Sequence, residues 1–344
     1  MTGRKRHAVV YYREYTVTGK GLRLMAHSRH EKSKFRIYLE YVPFLLLYKV
    51  LHLMPLKWGY AFSDFLFRML FFIDLRHRRR SIQHLMHAGI AANHREAVRM
   101  AAASIREFGK LLVEIVKMDQ LYSPEKITVS GDAEALDYAL SPDHENHQVI
   151  IITAHFGNWE VAGEAFSEKA RRPMLSMMRS FGNPLIGRMI LVHRAGKMHE
   201  LVDKTEGIRP VLRAINKGKN VTMLIDQHAA GSEGVECAFF GHPARVHMTP
   251  ALLHLKTGIP ILPELTFRTG NNFNFDLRVG KLIRYTPTGD KEKDVQIITQ
   301  QCISALEKMI REEPLQWLWA PRHWLDINRR QAPLYKNWKP PVQP

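Results

Sequence analysis

The run Val149-Ile150-Ile151-Ile152-Thr153 constrains this chain more than any other stretch. All five side chains are β-branched and none alternates with a polar one. Such a segment has to be buried on both faces, which happens in a parallel sheet covered by helices on either side. Helical spacing begins directly afterwards, from Asn158 to Ala170. The rhythm repeats elsewhere. Short apolar runs at Ile127–Val129, Met174–Met178, Val221–Ile225 and Ile259–Phe267 read as strands. Helical stretches at Asp132–Leu140, Pro184–His193, Arg209–Asn216, Thr249–Thr257 and Val295–Ile310 read as the helices between and after them. Phe273–Ile283 alternates and reads as an antiparallel partner. Strands separated by helices predict an α/β fold with a mostly parallel central sheet flanked by helices.

The N-terminal third has a different character. Residues 1–40 carry ten Lys or Arg against three acids, and the whole chain of 344 residues has a formal net charge of +17. Behind Arg4, Lys5 and Arg6 the chain lacks the apolar core of a signal peptide. Phe35 to Leu75 is rich in Tyr, Phe, Leu and Met, and Arg76-His77-Arg78-Arg79-Arg80 closes it. Pro55 divides it, and Glu40, Lys49, His52, Lys57, Asp64 and Arg68 interrupt it. A spanning helix needs about 20 mostly apolar residues. The pattern therefore suits helices lying in the interface of an anionic membrane, with a single tilted span over Tyr38–Leu56 as the alternative. Asn93 to Met118 reads as an ordinary packing helix. The two cysteines, Cys237 and Cys302, exclude a disulfide framework.

Chemistry concentrates where the buried strand ends. His155 stands at the C-terminal edge of a parallel strand, where open α/β sheets place their sites. Glu160 falls in the first turns of the following helix, from which its carboxylate is expected to turn back to the imidazole. A carboxylate on one ring nitrogen fixes the tautomer, so that the other nitrogen takes a proton from an attacking hydroxyl. Gly157 allows the tight bend, and amides at the helix start are expected near a developing oxyanion. Asp226 ends the strand Val221–Ile225 at the same edge.

The box His155-Phe156-Gly157-Asn158-Trp159-Glu160 does not stand alone. It is followed by Arg179 with Asn183-Pro184, Arg194 with Gly196, Asp226-Gln227, and Phe239-Phe240-Gly241 with Pro243-Ala244. Pro250-Ala251, Thr257-Gly258, Pro314, Gln316-Trp317, Trp319 and Arg322 complete the series. In order and approximate spacing the set resembles the bacterial lipid A biosynthesis acyltransferases of the lauroyl/myristoyl type, from about Glu40 to about Trp324. The sequence departs from that pattern at Ser81-Ile82-Gln83-His84-Leu85, where family members often carry an Asn-Leu pair, and in its basic leader.

The resemblance implies an acyltransferase at the cytoplasmic face of the inner (plasma) membrane. Its donor would be an acyl thioester on acyl carrier protein or coenzyme A, and its acceptor a glycolipid hydroxyl. It implies His155 as general base with Glu160 as partner, and Asp226 and Arg194 around the same cleft. Arg179, Asn183 and Gln227 join them as substrate-binding residues. The chain is expected to divide into a basic extension over 1–34, membrane-anchoring helices over 35–80, an acyltransferase domain over 81–330 and a tail over 331–344. Phosphatidylinositol mannosides, or other membrane lipids, are the alternative acceptors. No cofactor and no metal are expected: the 18 histidines are scattered, and His242 with His247, the nearest pair of interest, fits a solvated loop. The competing class is a non-catalytic basic scaffold on membrane or nucleic acid. No zinc spacing, RNA-binding signature or phosphate loop supports a nucleic-acid partner, and no G-x-S-x-G supports a serine hydrolase. The three tryptophans Trp317, Trp319 and Trp324 suit either a lipid interface or a core, and Phe239-Phe240-Gly241 either an acyl-groove wall or a loop.

Overall fold

A computed structural model of the chain describes residues 14–18, 21–25, 33–141, 147–178, 181–194, 198–327 and 331–340, with side chains described outside 14–25 and 191–194. The strands β1 (Glu14–Thr18) and β2 (Gly21–Met25) form an antiparallel pair in the basic leader. Four helices follow: α1 (Lys34–Leu53), α2 (Leu56–Ile73), α3 (Leu75–His87) and α4 (His94–Val116), with the short α5 (Met118–Leu121) after them. The breaks have local causes. Ser33 caps α1, Asp74 caps α3 and Asn93 caps α4 through side-chain oxygens. Pro55 opens α2 at the position where a missing N–H costs nothing.

The α/β part runs β3 (Ile127–Gly131), α6 (Ala133–Leu140), β4 (Ile150–Thr153), α7 (Trp159–Lys169), β5 (Met174–Met178), α8 (Pro184–Arg194) and β6 (His199–Asp203). It continues with α9 (Arg209–Asn216), β7 (Asn220–Leu224), β8 (Gly234–Phe239), β9 (His242–His247) and α10 (Thr249–Thr257). It ends with β10 (Ile261–Arg268), β11 (Phe275–Val279) and α11 (Lys291–Ile310). Seven strands form one sheet in the order β3-β11-β10-β4-β7-β5-β6. From β10 to β6 neighbouring strands are parallel, while β11 is antiparallel to β10, as its alternating pattern predicted. β8 and β9 make a separate hairpin.

β4 lies in the middle of the sheet and shows why it has no polar face. Ile150 and Ile152 enter a core shared with α3, α4 and α9 to α11, whereas Val149 and Ile151 enter the core on the opposite face with Val161, Ala165 and Phe166 of α7. The pleat sends successive residues to opposite sides, so both layers need aliphatic side chains. Burying each contributes roughly 1.5–3 kcal/mol. The tryptophans belong to this core. Trp317, Trp319 and Trp324 are buried, with Phe239 and Phe240 packed among them. Their indole N–H groups donate to Asp226, to the Pro314 carbonyl and to the Phe239 carbonyl, which removes the reason for a wet interface. Phe240-Gly241 is the turn of the β8–β9 hairpin, and Phe240 with Phe239, the last residue of β8, is pressed into that cluster.

Among the described residues no helix is long and apolar enough to cross a membrane. The helices α1 and α2 instead leave large apolar side chains in solvent, among them Phe35, Leu39, Leu53, Trp58, Phe65 and Phe72. An apolar cavity of about 110 Å³ lies beneath them, between α1, α2, α4 and Ile190 of α8.

Candidate active site

β4 and β7 are adjacent and parallel, with Ile150 opposite Val221 and Thr153 opposite Leu224. The same register, carried two residues past the last rung, sets His155 opposite Asp226. His155 Nδ1 lies 2.8 Å from Asp226 Oδ1, and the His155 backbone N–H donates to Oδ2 at 3.1 Å. Trp317 Nε1 donates to Oδ2 as well, at 2.9 Å. The His323 ring lies 3.0 Å from the Asp226 carbonyl.

The Asp226 side chain is fully buried. Burial alone would raise its carboxyl, but the facing His155 and its hydrogen bond, with His323 and the Trp317 N–H behind them, outweigh it and hold the group at about 2. Asp226 is therefore an ionised acceptor, and His155 Nδ1 must be the donor. That leaves Nε2 with its lone pair, on a ring that is 24% exposed at the sheet edge. The Gln227 side-chain nitrogen is 3.2 Å from both ring nitrogens, and Trp159 meets the ring edge-on at 5.1 Å.

The loop that carries His155 is fixed from three sides. Gly157 N–H donates to the Gln316 carbonyl, the Leu318 N–H to the His155 carbonyl, and Asn158 N–H to the Thr266 carbonyl of β10. Gly157 has φ of +54°, and a Cβ there would lie 1.8 Å from the Thr266 oxygen, so only glycine fits. Asn158 is buried and caps α7, accepting from the Glu160 and Val161 amides. Its Nδ2 donates to Glu114 of α4 at 3.0 Å.

Glu114 is the centre of a buried network that sequence reasoning missed. Arg268, at the end of β10, grips it with Nε at 2.5 Å and Nη2 at 2.7 Å, while Tyr60 of α2 donates at 2.7 Å. Arg268 Nη1 also reaches Glu107 at 2.8 Å. Burial alone would lower the guanidinium, and the two glutamates more than reverse that. Both partners of the pair are essentially inaccessible, at 2% and 0%. A charged residue at helical spacing in α4 gives no sign of this in the sequence. A desolvated ion pair is retained only where its hydrogen bonds are complete, as they are here.

The expected site residues divide. His155, Asp226 and Gln227 come together. Glu160 is buried in the first turn of α7, a favourable place for a carboxylate, but the carboxylate on the imidazole is that of Asp226. Parallel pairing of β4 with β7 brings Asp226, distant in sequence, onto the imidazole. Asn183 is a clasp: Oδ1 accepts from the Leu185 and Ile186 amides of α8, and Nδ2 donates to the Ile37 carbonyl and to Glu40 of α1. Arg194 is the last residue of α8, its side chain outside the described residues, and Arg179 lies outside them altogether. The expectation about oxyanion donors also changes. The amides of Gly157, Asn158, Glu160 and Val161 are already bonded within the protein, and among the described residues the Gln227 side-chain amide is a donor 3.2 Å from the imidazole.

The chain is similar to known proteins over most of its length. The model of the bacterial lipid A biosynthesis acyltransferase family matches residues 27–326. The chain is 24% identical over 233 residues to a phosphatidylinositol mannoside acyltransferase of Mycobacterium tuberculosis, covering 66% of this chain and 70% of that protein. It is 24% identical over 244 residues to a lipid A biosynthesis palmitoleoyltransferase of Escherichia coli, covering 70% and 76%.

Proposed function

The chain belongs to the bacterial lipid A biosynthesis acyltransferase family and is an acyltransferase, and from that premise we propose that it transfers a fatty acyl chain from a thioester to a hydroxyl of a membrane glycolipid. The thioester is carried by acyl carrier protein or coenzyme A. The acceptor is a lipid A precursor, with a phosphatidylinositol mannoside as the second candidate because a relative of that activity is as similar to the chain as the lipid A enzyme.

The observation that carries the reading is the His155–Asp226 pair. His155 Nε2 takes the acceptor hydroxyl proton as the oxygen attacks the thioester carbonyl. Asp226 holds the ring in the tautomer that makes Nε2 basic and stabilises the imidazolium that forms. The Gln227 amide donates to the carbonyl oxygen as it gains charge. When the tetrahedral adduct collapses, the C–S bond breaks and the leaving thiolate takes the proton back from Nε2. Arg194 and Arg179 are assigned to acceptor recognition by their chemistry, since guanidinium groups suit lipid phosphates, and Glu160 is kept as a further acid of the same box. Asn183 contributes by docking α1 on α8.

The surface supports a membrane setting. The exposed apolar side chains of α1 and α2, flanked by Arg76, Arg78 and Arg79, match an interfacial anchor on an anionic leaflet, at the cytoplasmic face of the inner membrane. The excess charge of +17 also suits an acidic carrier protein. The test is transfer of a labelled acyl group from acyl carrier protein and from coenzyme A to lipid A precursors and to phosphatidylinositol mannosides. One donor–acceptor pair is expected to react with the native protein and not with His155→Ala. Equal activity of that variant would refute the mechanism.

A further inference from the structure

Three side chains from distant parts of the chain converge in a cluster that does not include His155. His87 is the last residue of α3, His242 the first of β9, and Asp326 follows Trp324 in the C-terminal segment. His87 Nε2 lies 3.0 Å from Asp326 Oδ1, and His242 Nδ1 lies 3.1 Å from Oδ2. The two rings face each other with centroids 3.6 Å apart. One nitrogen of each ring and a carboxylate oxygen all lie within 4.8 Å of one another.

The surroundings suit ligands rather than a surface ion pair. The His87, His242 and Asp326 side chains are 16%, 34% and 20% exposed, so they are held in place yet reachable from solvent. Among the described residues the ion pairs of Asp326 are with these two histidines, and no Lys or Arg competes for its oxygens. His87 is packed edge-on against Trp324, which fixes its direction.

We propose that His87, His242 and Asp326 bind one divalent transition-metal ion, zinc foremost. Two imidazole nitrogens and one carboxylate form the donor set of many three-ligand zinc sites, with water in the remaining position. Their summed charge of one minus complements a dication, whereas the set has too few oxygens for calcium or magnesium. Zinc–nitrogen bonds of about 2.0–2.1 Å require the stacked rings to splay apart around the ion. The ion ties α3 and the β8–β9 hairpin to the segment that carries Trp317 and His323, the residues on Asp226, so its role is to brace that segment. The ligands come from three remote positions, and no sequence spacing announces them. His242 and His247 are an odd number of residues apart on one strand and point to opposite sides; His247 faces Glu233 at 3.9 Å instead.

The test uses the full-length protein in detergent, stripped with a chelator and titrated with Co²⁺ as a spectroscopic probe, then with Zn²⁺. One equivalent of Co²⁺ is expected to give visible ligand-field bands and to be displaced by Zn²⁺. His242→Ala and Asp326→Asn are expected to weaken binding at least about 100-fold, while His247→Ala leaves it unchanged. Circular dichroism checks that each variant is folded. Failure of the native protein to take up one equivalent overturns the proposal by itself. So does unchanged binding in folded His242→Ala and Asp326→Asn variants, which would make the cluster a hydrogen-bonded clamp.

Discussion

Asn158 gives one amide hydrogen to Glu114 at 3.0 Å and uses its own oxygen to cap the helix that begins in the His155–Glu160 box. The buried Glu114–Arg268 pair thereby sets the position of the loop that presents His155. The network extends through Tyr60 to α2, so the exposed apolar helices and the sheet edge share one rigid connection.

Removing one member of that pair leaves a buried charge without its partner. Glu114→Ala is expected to destabilise the protein by about 3–5 kcal/mol. The double replacement of Glu114 and Arg268 by methionine should recover part of that loss, because no buried charge then remains. Denaturant unfolding of both variants in detergent measures the difference.

Asp226→Asn keeps the shape of the side chain and removes its charge. The amide can present its N–H to Nδ1, which favours the tautomer with the proton on Nε2 and no base facing the substrate. The expected loss is about 10²–10⁴-fold in kcat with KM little changed. Steady-state kinetics on the reactive donor–acceptor pair read it directly.

Much of this architecture was legible in the sequence. The all-β-branched run at Val149–Thr153, the helix start at Asn158 and the antiparallel β11 followed from local pattern. The strand order did not. Nothing local in Val221–Ile225 tells that β7 lies beside β4 rather than further along the sheet, so the sequence offers Glu160 for the imidazole and does not reveal its hydrogen bond to Asp226. The tryptophans were ambiguous for a related reason. An indole at a membrane interface and a buried one with a satisfied N–H read alike until the acceptors, Asp226 and two carbonyls, are known. Asn183 enters the sequence reading as a substrate-binding residue, and its bonds to the first amides of α8 and to Ile37 and Glu40 of α1 depend on contacts no pattern reveals.

Glu264 offers a test of the buried sheet that is independent of activity. Burial raises its carboxyl to about 7, although a hydrogen bond from Thr266 opposes this. A carboxyl raised on folding is neutral in the native state while the unfolded chain ionises. Its stabilising contribution is therefore full below the unfolded value near 4.5 and is lost as pH rises toward 7. Glu264→Gln is expected to unfold at higher denaturant than the native protein at pH 8. The advantage should be of the order of 3 kcal/mol and should shrink toward pH 4. Stability measured across that range gives the sign.

The proposed membrane anchor makes a separate prediction. Replacing Trp58 and Phe65 together by glutamate removes apolar area from the exposed face of α2 and adds charge repelled by an anionic leaflet. Sedimentation with anionic vesicles should show at least about a tenfold fall in binding. High salt alone should leave the native protein bound, because the apolar contribution does not depend on ionic strength.

The central claim is that His155, oriented by Asp226, transfers an acyl chain to a membrane glycolipid. Mass spectrometry of the lipids from cells lacking the protein, cells carrying it and cells carrying His155→Ala tests this most directly. One glycolipid is expected to gain the mass of a single acyl chain only with the native protein. A lipid profile identical in all three, or an acylated product that persists with His155→Ala, would contradict it.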